Sequence, residues 1–230
     1  MDRILSELPE FFSYYNVIFL LKAAGTTIAL SAIGCIFGGL IGAGIAVARL
    51  TTGWVSLPLR ILAIAYTEVF RRVPFLVTLM LVFFAFQFSG FRVSTFTVGC
   101  VTVLLIASAF LAEIVRAGLQ SVHANQWDAA SAMNFGLMRT IRYVILPQAW
   151  KVILPPAFGF FILFIKDTAL ASYINVAELT YAGKVLNNKG FAAGLTFGTI
   201  LLIYFAISYP LARLGAHLER RLVPSRTRSD

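Results

Sequence analysis

The sequence is short of charged residues. Asp, Glu, Lys and Arg make up 13% of its 230 residues, and hydrophobic residues make up 59%. Soluble globular chains average about 25% charged and about 45–50% apolar residues, so this balance excludes an ordinary water-soluble globule as well as a disordered chain or a coiled coil. Acidic residues are scarcer than basic residues: 10 Asp and Glu stand against 19 Lys and Arg, which gives a net charge of +9. Because the cations flank long apolar runs, a lipid bilayer is favoured over nucleic acid as the partner.

Residues that carry metal or nucleophilic chemistry are equally few. Cys35 and Cys100 are the only cysteines, and both lie in apolar stretches, which predicts small core residues rather than a disulfide or a zinc site. His123 and His217 are isolated and lack metal-ligand spacing. No phosphate-binding loop of the Walker A type is present. We therefore expect no catalytic residue, no metal site and no cofactor bound by this chain.

Long charge-free runs predict an all-α polytopic membrane protein with about five transmembrane helices. A spanning helix needs about 20 mostly apolar residues. Four charge-free runs approach or exceed this length: residues 23–48, 73–91, 93–112 and 191–212. The fifth run, residues 152–165, is shorter and crosses a bilayer only if neighbouring residues extend its helix. The limits of the second and fourth spans in chain order are therefore the least defined.

The distribution of basic residues predicts the orientation. Five spans place the two termini on opposite sides of the membrane. Most Lys and Arg residues fall on the inner side when the N-terminus is outside, and cytoplasmic segments carry such an excess. We expect one membrane domain over residues 1–220, an outer N-terminus, and a cytoplasmic tail over residues 221–230.

A ladder of glycines marks the first span. Gly34, Gly38 and Gly42 recur every four residues, which leaves a smooth helix face. Another backbone can approach such a face closely. The pattern predicts helix packing rather than a ligand site.

The segment between the third and fourth spans predicts a short helix followed by a turn. Asn125 is suited to an N-cap, and Asp128 three residues later forms a variant of the capping box. Ala129 and Ala130 favour the helix that follows. Asn134 is suited to the left-handed conformation that ends many helices.

A second amphipathic stretch, at about residues 138–146, is expected to end at Pro147. The segment thus predicts a helix-turn-helix beside the membrane. A short, alanine-rich helix can insert into a groove on another protein, or it can lie in the membrane interface without a partner. The residue pattern alone leaves both alternatives open.

The same segment resembles the EAA loop of ABC-transporter permeases. That pattern is Glu-Ala-Ala, three residues, Gly, nine residues, and then Ile-x-Leu-Pro. It maps onto Asp128, Ala129, Ala130, Asn134, Val144, Leu146 and Pro147. Three positions depart from it: Asp replaces Glu, Asn replaces Gly, and Val replaces Ile. Each departure keeps the chemistry of its position, namely a carboxylate, a left-handed residue and an apolar side chain.

Further motifs are similar to the polar amino-acid uptake subfamily of these permeases. TEVFRRVPFLV at residues 67–77 resembles its E-x-F-R-G-T-P-L-L-V segment, although Arg72 and Val73 replace Gly and Thr. FLAEIVRAGLQSV at residues 110–122 and KDTALASYINVAELT at residues 166–180 also match. The motifs occur in the family's order, and the resemblance covers about residues 12–220.

The resemblance implies a type I ABC importer permease fold in the bacterial inner membrane. The chain would move polar amino acids or related zwitterionic solutes by alternating access. It would pair with a second permease subunit, identical or paralogous, and with two ABC ATPase subunits that bind ATP and Mg. A substrate-binding protein would deliver the solute outside. A coupling loop over about residues 117–150 would contact the ATPase through Asn125 and the EAA-like residues.

Charged and polar groups near the predicted spans are candidates for the solute path. Glu68 can pair with Arg71 or Arg72 on a helix, or these groups can line the path. Asp167, Thr168 and Ser172 follow an apolar run, where either the outer interface or a broken helix begins. Candidates for binding an amino acid's carboxylate and ammonium are Arg71 and Asp167 respectively.

Two other acidic residues are expected to be structural. Glu113 and Arg116 are three residues apart near the inner end of a span, which favours an ion pair. Glu178 lies in an amphipathic stretch and is expected on the surface of a helix.

Two other classes of function remain open from the residues alone. A stand-alone channel or ion-driven carrier would not need the alanine-rich helix. A membrane-embedded enzyme would need paired acid, base or metal groups within the spans, and Glu68 and Glu113 have no His or Cys neighbours.

Overall fold

A computed structural model describes residues 2–222 and is helical throughout its regular structure. The ten α-helices, in chain order, are α1 (Asp2–Phe11), α2 (Tyr14–Leu50), α3 (Leu57–Arg72), α4 (Phe75–Phe88), α5 (Thr95–Gln120), α6 (Ala124–Ala132), α7 (Leu137–Thr140), α8 (Leu146–Asp167), α9 (Leu179–Asn188) and α10 (Ala193–Leu222). A π-helical turn at Ile141–Ile145 joins α7 to α8, and a 3₁₀ helix at Thr168–Ile174 follows α8. Most of the predicted tail, residues 223–230, lies outside the described residues.

Four helical segments are long and apolar enough to cross a membrane, or five if one bent pair counts as a span. They contain the predicted runs of residues 23–48, 93–112 and 191–212, which fall mainly in α2, α5 and α10. The short run of residues 152–165 belongs to a continuous helical segment, Leu137–Ile174. The extension that the fourth span needs is therefore present on both sides.

The second predicted span differs from expectation. Residues 73–91 do not form one straight helix, because α4 covers only Phe75–Phe88, and α3 and α4 are bent by 113° at the break between them. Pro74 stands at this break with an extended ψ of 143°. Proline offers no N–H to a preceding turn and disfavours the helical conformation of the residue before it, here Val73. At about 1.5 Å per residue, α4 alone covers roughly 21 Å, less than the hydrocarbon core of a bilayer.

The described chain divides into two compact units. The first contains residues 2–34, 73–104 and 162–210, and the second contains residues 35–72, 105–161 and 211–222. In the first unit, one apolar cluster joins α1, α2, α9 and α10 through Phe11, Leu20, Ala23, Leu179, Ala182, Leu186 and Ile200. In the second unit, a cluster of Leu119, Ile141, Ile145 and Ala149 holds the end of α5 against the π-turn and α8.

The glycine ladder packs against α5, as the sequence predicts. A Cβ added at Gly38 would lie 2.8 Å from the Cβ of Ala107, and one at Gly42 would lie 2.7 Å from the carbonyl oxygen of Ser108. These distances leave no room for a side chain. Close approach of the two backbones is therefore the reason for glycine at these positions.

A comparison of two alanine substitutions in α2 tests this packing. Gly42→Ala should lower the apparent Tm of the purified protein in detergent by several degrees, because overpacking costs about 1–3 kcal/mol. Gly25→Ala is the matched control, because a Cβ there meets no described atom within 4 Å. The control should leave the Tm unchanged or raise it, since alanine favours a helix by about 1 kcal/mol over glycine. Equal Tm values for the two variants would contradict the packing.

Candidate functional site

The first helix of the EAA-like segment begins earlier than expected. His123, not Asn125, is the N-cap of α6: its φ and ψ are −53° and 139°, and its Nδ1 accepts a hydrogen bond of 3.3 Å from the backbone N–H of Asn125. Asn125 is therefore inside the helix, and Asp128 is too far along it to form a capping box. The prediction was wrong because side-chain preference favours Asn. A ring nitrogen of histidine fills the same role once α5 has ended at Gln120.

The end of α6 confirms the expected left-handed residue. Asn134 has a φ of 57°. The N–H of Asn134 donates to the carbonyl of Ser131 at 2.9 Å, and the N–H of Phe135 donates to the carbonyl of Ala130 at 3.0 Å. This pair of bonds is a Schellman motif, which satisfies carbonyls that the helix end leaves free. The chain then turns into α7.

The two faces of α6 have different surroundings. Ala130 is buried at 2% exposure, and Trp127 packs on the apolar cluster at the end of α5. Asp128 and Ala129 are exposed, as is Asn125. One side of the helix thus packs against the rest of the second unit, while the other presents small and polar side chains.

The second part of the segment does not end at Pro147. Helix continues from α7 through the π-turn into α8, so Val144, Leu146 and Pro147 lie within one helical segment. A proline in a regular α-helix clashes with the carbonyl four residues earlier. The π-turn directly before Pro147 changes that spacing and so accommodates the ring. Val144 is half-buried, whereas Leu146 and Pro147 are exposed.

The two parts of the EAA-like segment are joined by a side-chain hydrogen bond that no sequence pattern predicted. The Nε2 of Gln148 donates to the Oε1 of Gln126 at 3.1 Å and to the carbonyl of Val144 at 2.8 Å. Gln126 belongs to α6 and Gln148 to α8. The short helix is thereby tied to the helix that continues into the membrane.

Three arginines surround one carboxylate in the second unit. Glu113 pairs with Arg116, as the sequence predicts, but also with Arg49 at 2.7 Å and Arg71 at 3.4 Å. Arg49 donates further to the hydroxyl of Thr67 at 3.2 Å. The side chains are mostly sheltered, with 11% exposure for Arg49 and 21% for Glu113. The partners from α2 and α3 lie far from Glu113 in sequence, so spacing rules that apply within one helix do not find them.

The predicted partners of Glu68 separate in the structure. Glu68 pairs with Arg72 at 2.6 Å on the exposed side of α3. Arg71 turns instead towards Glu113, with its guanidinium 5.8 Å from the ring centroid of Phe110. Within residues 2–222, the Nε of Arg71 has no hydrogen-bond partner. Glu68 and Arg71 therefore belong to different ion pairs.

The remaining path candidates lie in the first unit, where α8 gives way to the 3₁₀ helix. Asp167 is exposed as the last residue of α8. Thr168 and Ser172 are buried: the hydroxyl of Thr168 donates to the carbonyl of Ile165 at 2.8 Å, and that of Ser172 accepts from the Nζ of Lys184 at 2.9 Å. At this change of helix type the carboxylate is thus exposed, whereas the two hydroxyls are buried and hydrogen-bonded.

Glu178 is a buried cap rather than a surface residue, so its predicted position was wrong. Its carboxylate caps the N-terminus of α9. It accepts hydrogen bonds from the N–H groups of Thr180 and Tyr181 at 2.9 and 2.7 Å, and from the hydroxyl of Tyr204 at 2.9 Å. Burial raises the pKa of Glu178, and these hydrogen bonds oppose that increase. Polarity alone predicts exposure, but a carboxylate with three donors can be buried.

The arginine cluster predicts unequal effects of two charge-neutralising substitutions. Glu113→Gln should greatly reduce the yield and Tm of folded protein, because it leaves three sheltered guanidinium groups without a counter-charge; losing one partner of a buried pair costs roughly 3–5 kcal/mol. Glu68→Gln is the matched control, since an exposed pair contributes about 0–1 kcal/mol. Thermal unfolding of both variants in detergent tests this, and similar losses would show that Glu113 has no special role.

Comparison with known proteins identifies the family of the chain. The family described as "Binding-protein-dependent transport system inner membrane component" matches residues 38–224. The glutamine transport system permease protein of Escherichia coli K12 is 34% identical over 205 residues, covering 88% of this chain and 92% of that protein. The L-cystine transport system permease protein of Bacillus subtilis is 33% identical over 197 residues, covering 85% and 83%.

Solved structures give the same result. A crystal structure of an amino acid ABC transporter determined with histidines has a TM-score of 0.83 and 30% identity, covering 95% of this chain and 98% of that one. The MetNI methionine ABC transporter in an inward-facing conformation has a TM-score of 0.76 at 22% identity, which supports the fold alone. The expected type I ABC importer permease fold is confirmed. The chain belongs to the family of binding-protein-dependent transport system inner membrane components and is a membrane-embedded, non-catalytic permease subunit of an ABC importer.

Proposed function

We propose that this permease carries polar amino acids or related small zwitterionic solutes into the cell and that α6 transmits the movements of a separate ATPase. The observation that carries the coupling proposal is the two-sided environment of α6. One side is fixed through Ala130 and Trp127, and the other is exposed at Asp128 and Ala129. The solute class is supported by the names of the relatives, which are permeases for glutamine and cystine.

The contacts of α6 suit a rigid coupling element. A short helix alone is marginally stable, so it transmits force only if other contacts hold it. The Schellman bonds at Asn134 and the bond between Gln126 and Gln148 supply such contacts. Exposed small residues then allow a partner's groove to close around the helix. In this proposal Val144, Leu146 and Pro147 act indirectly, by forming the helical segment on which α6 rests.

The proposed assembly has two permease subunits, identical or paralogous, and two ATPase subunits that bind ATP and Mg. A substrate-binding protein would deliver the solute from outside. The N-terminus lies outside and the C-terminus in the cytoplasm of a bacterial cell, which the excess of Arg and Lys in the segments assigned to the inner side supports. Movement of one helical bundle against another is the usual basis of alternating access, and it favours a second permease.

Arg71 is the proposed contact for the solute's carboxylate. One carboxylate faces three guanidinium groups in its cluster, so the cluster keeps an excess of positive charge. Arg71 makes the longest of these ion pairs, and its side chain, at 33% exposure, is the most exposed of the three arginines. A partly exposed guanidinium is well suited to bind a carboxylate.

Asp167 is the proposed contact for an ammonium group, and this role is independent of that of Arg71. Its carboxylate is exposed at the break between α8 and the 3₁₀ helix. The buried hydroxyls of Thr168 and Ser172 position this break by bonding to Ile165 and Lys184. Glu68 contributes at most through its exposed pair with Arg72.

The coupling proposal predicts loss of ATPase binding when a charge is placed on the exposed side of α6. Ala129→Glu should leave the permease folded and inserted, because Ala129 is exposed, but it should abolish copurification with the cognate ATPase. Ala193→Glu is the control, as it places the same side chain at an exposed helix position at the start of α10. If Ala129→Glu retains the ATPase as well as wild type does, α6 is not the docking helix.

The path proposal predicts different effects for two neighbouring arginines. Arg71→Gln should reduce ATP-driven uptake at least tenfold in proteoliposomes that contain the ATPase and binding protein, while ATPase copurification persists. Arg72→Gln removes the same charge from an exposed pair and should transport nearly as wild type does. The probe is the radiolabelled amino acid that the wild-type system takes up fastest. Equal uptake by the two variants would remove Arg71 from the path.

A further inference from the structure

An apolar groove lies beside the ends of three helices in the second unit. Its volume is about 430 Å³, which is within the usual range for a small-molecule site. The apolar part of its lining comes from the last turns of α2 and α5 and from α7, the π-turn and the start of α8, through Val47, Val115, Leu119, Met138, Ile141 and Leu146. Because these are the ends of membrane helices, the groove lies near the level where hydrocarbon meets water. The groove lies partly within the EAA-like segment, but of the residues assigned above to ATPase coupling only Leu146 lines it, and none of the solute-path candidates does.

The chain itself does not fill the groove at Gly44. A Cβ added at this position meets no described atom within 4 Å. Two residues earlier, a Cβ at Gly42 would lie 2.7 Å from a backbone oxygen. The two glycines thus have different roles, since Gly42 permits close packing with α5 while Gly44 leaves space along an apolar wall. Unfilled apolar space near the end of a membrane helix is suited to a hydrocarbon chain.

A positive charge stands at the groove. Arg142 is part of its lining, is exposed, and makes no salt bridge within residues 2–222. Its guanidinium lies 5.8 Å from the ring centroid of Tyr143. Arg139 lies one turn earlier and is also exposed. None of the described lining residues is acidic. The groove therefore combines an apolar wall with an unneutralised guanidinium, beside the aromatic ring of Tyr143.

We propose that this groove binds an anionic phospholipid. An acyl chain lies along Val47 and Leu119 beside Gly44, and the phosphate of the headgroup pairs with Arg142. Guanidinium groups bind phosphate well, and an arginine near a membrane surface attracts anionic lipid. A zwitterionic lipid would fit the apolar wall but would gain less from Arg142. The site goes beyond the proposed function, because it depends neither on the solute nor on the ATPase contact.

Native mass spectrometry of the purified transporter assembly tests this site. The assembly is incubated in detergent with equal amounts of phosphatidylglycerol and phosphatidylcholine, and the bound lipids are counted. Wild type should retain phosphatidylglycerol in preference. Arg142→Gln should weaken phosphatidylglycerol binding about fivefold and abolish the preference, since one arginine near the surface is worth about this factor. Lys151→Gln removes an exposed charge from α8 outside the groove and should leave the preference intact.

A second pair of variants tests the apolar part. Gly44→Leu should fill the groove and reduce binding of both lipids, whereas Gly198→Leu should change neither, because it adds the same side chain at an open, exposed position in α10. Lipid counts in Gly44→Leu equal to those of wild type would overturn the proposal. Loss of a permease or ATPase subunit from Gly44→Leu with unchanged lipid counts would also overturn it, because the groove would then be a subunit interface. Loss of the ATPase from Ala129→Glu leaves the lipid prediction unaffected, so the two proposals fail separately.

Discussion

Backbone polar groups in a bilayer have no water to bond with, so a break in a helix must be satisfied within the protein. Four breaks in the described part of the chain show how this is done. Pro74 lacks the N–H that would otherwise go unpaired, and the π-turn accommodates Pro147 without ending the helix. The 3₁₀ helix after α8 closes at Asn175, whose φ is 61°, and α9 starts on the buried carboxylate of Glu178. Helix interruptions are therefore built features of the fold, and the candidate functional residues gather beside them.

The absence of water in the bilayer also explains how the charged side chains are paired. A sheltered guanidinium is costly unless it is paired, so Glu113 becomes the common partner of arginines from α2, α3 and α5. One carboxylate does not neutralise three cations, however, and in the proposed function the excess positive charge attracts the solute's carboxylate. Helix α6, the proposed coupling helix, carries no basic residue, and its exposed side presents Asp128 and small side chains. Shape rather than charge is thus the proposed basis of ATPase docking.

Sequence reasoning succeeded where the signal is local or repeats along one helix. Long apolar runs located four of the five predicted spans, the glycine ladder predicted close packing with another helix, and Asn134 was identified as the left-handed residue that ends α6. It failed where tertiary contacts decide. Glu178 was expected at the surface because the sequence shows a polar residue but does not show the three hydrogen-bond donors that satisfy its carboxylate. Helical spacing offered both Arg71 and Arg72 as partners of Glu68. The pair with Arg72 is confirmed, whereas Arg71 binds the carboxylate of Glu113 on α5. Side-chain preferences predicted Asn125 as the N-cap of α6, whereas His123 occupies that position in the structure.

The most direct measurement is a photo-crosslink from α6 to the cognate ATPase. A photoreactive group is attached to the thiol of Ala129→Cys, in a background where Cys35 and Cys100 are replaced by serine, and Ala193→Cys serves as the comparison. If α6 is the coupling element, irradiation joins the permease to the ATPase from position 129 and not from position 193, and ATP alters the yield. Absence of a crosslink from position 129 in an assembly that still contains the ATPase would contradict the coupling role of this helix.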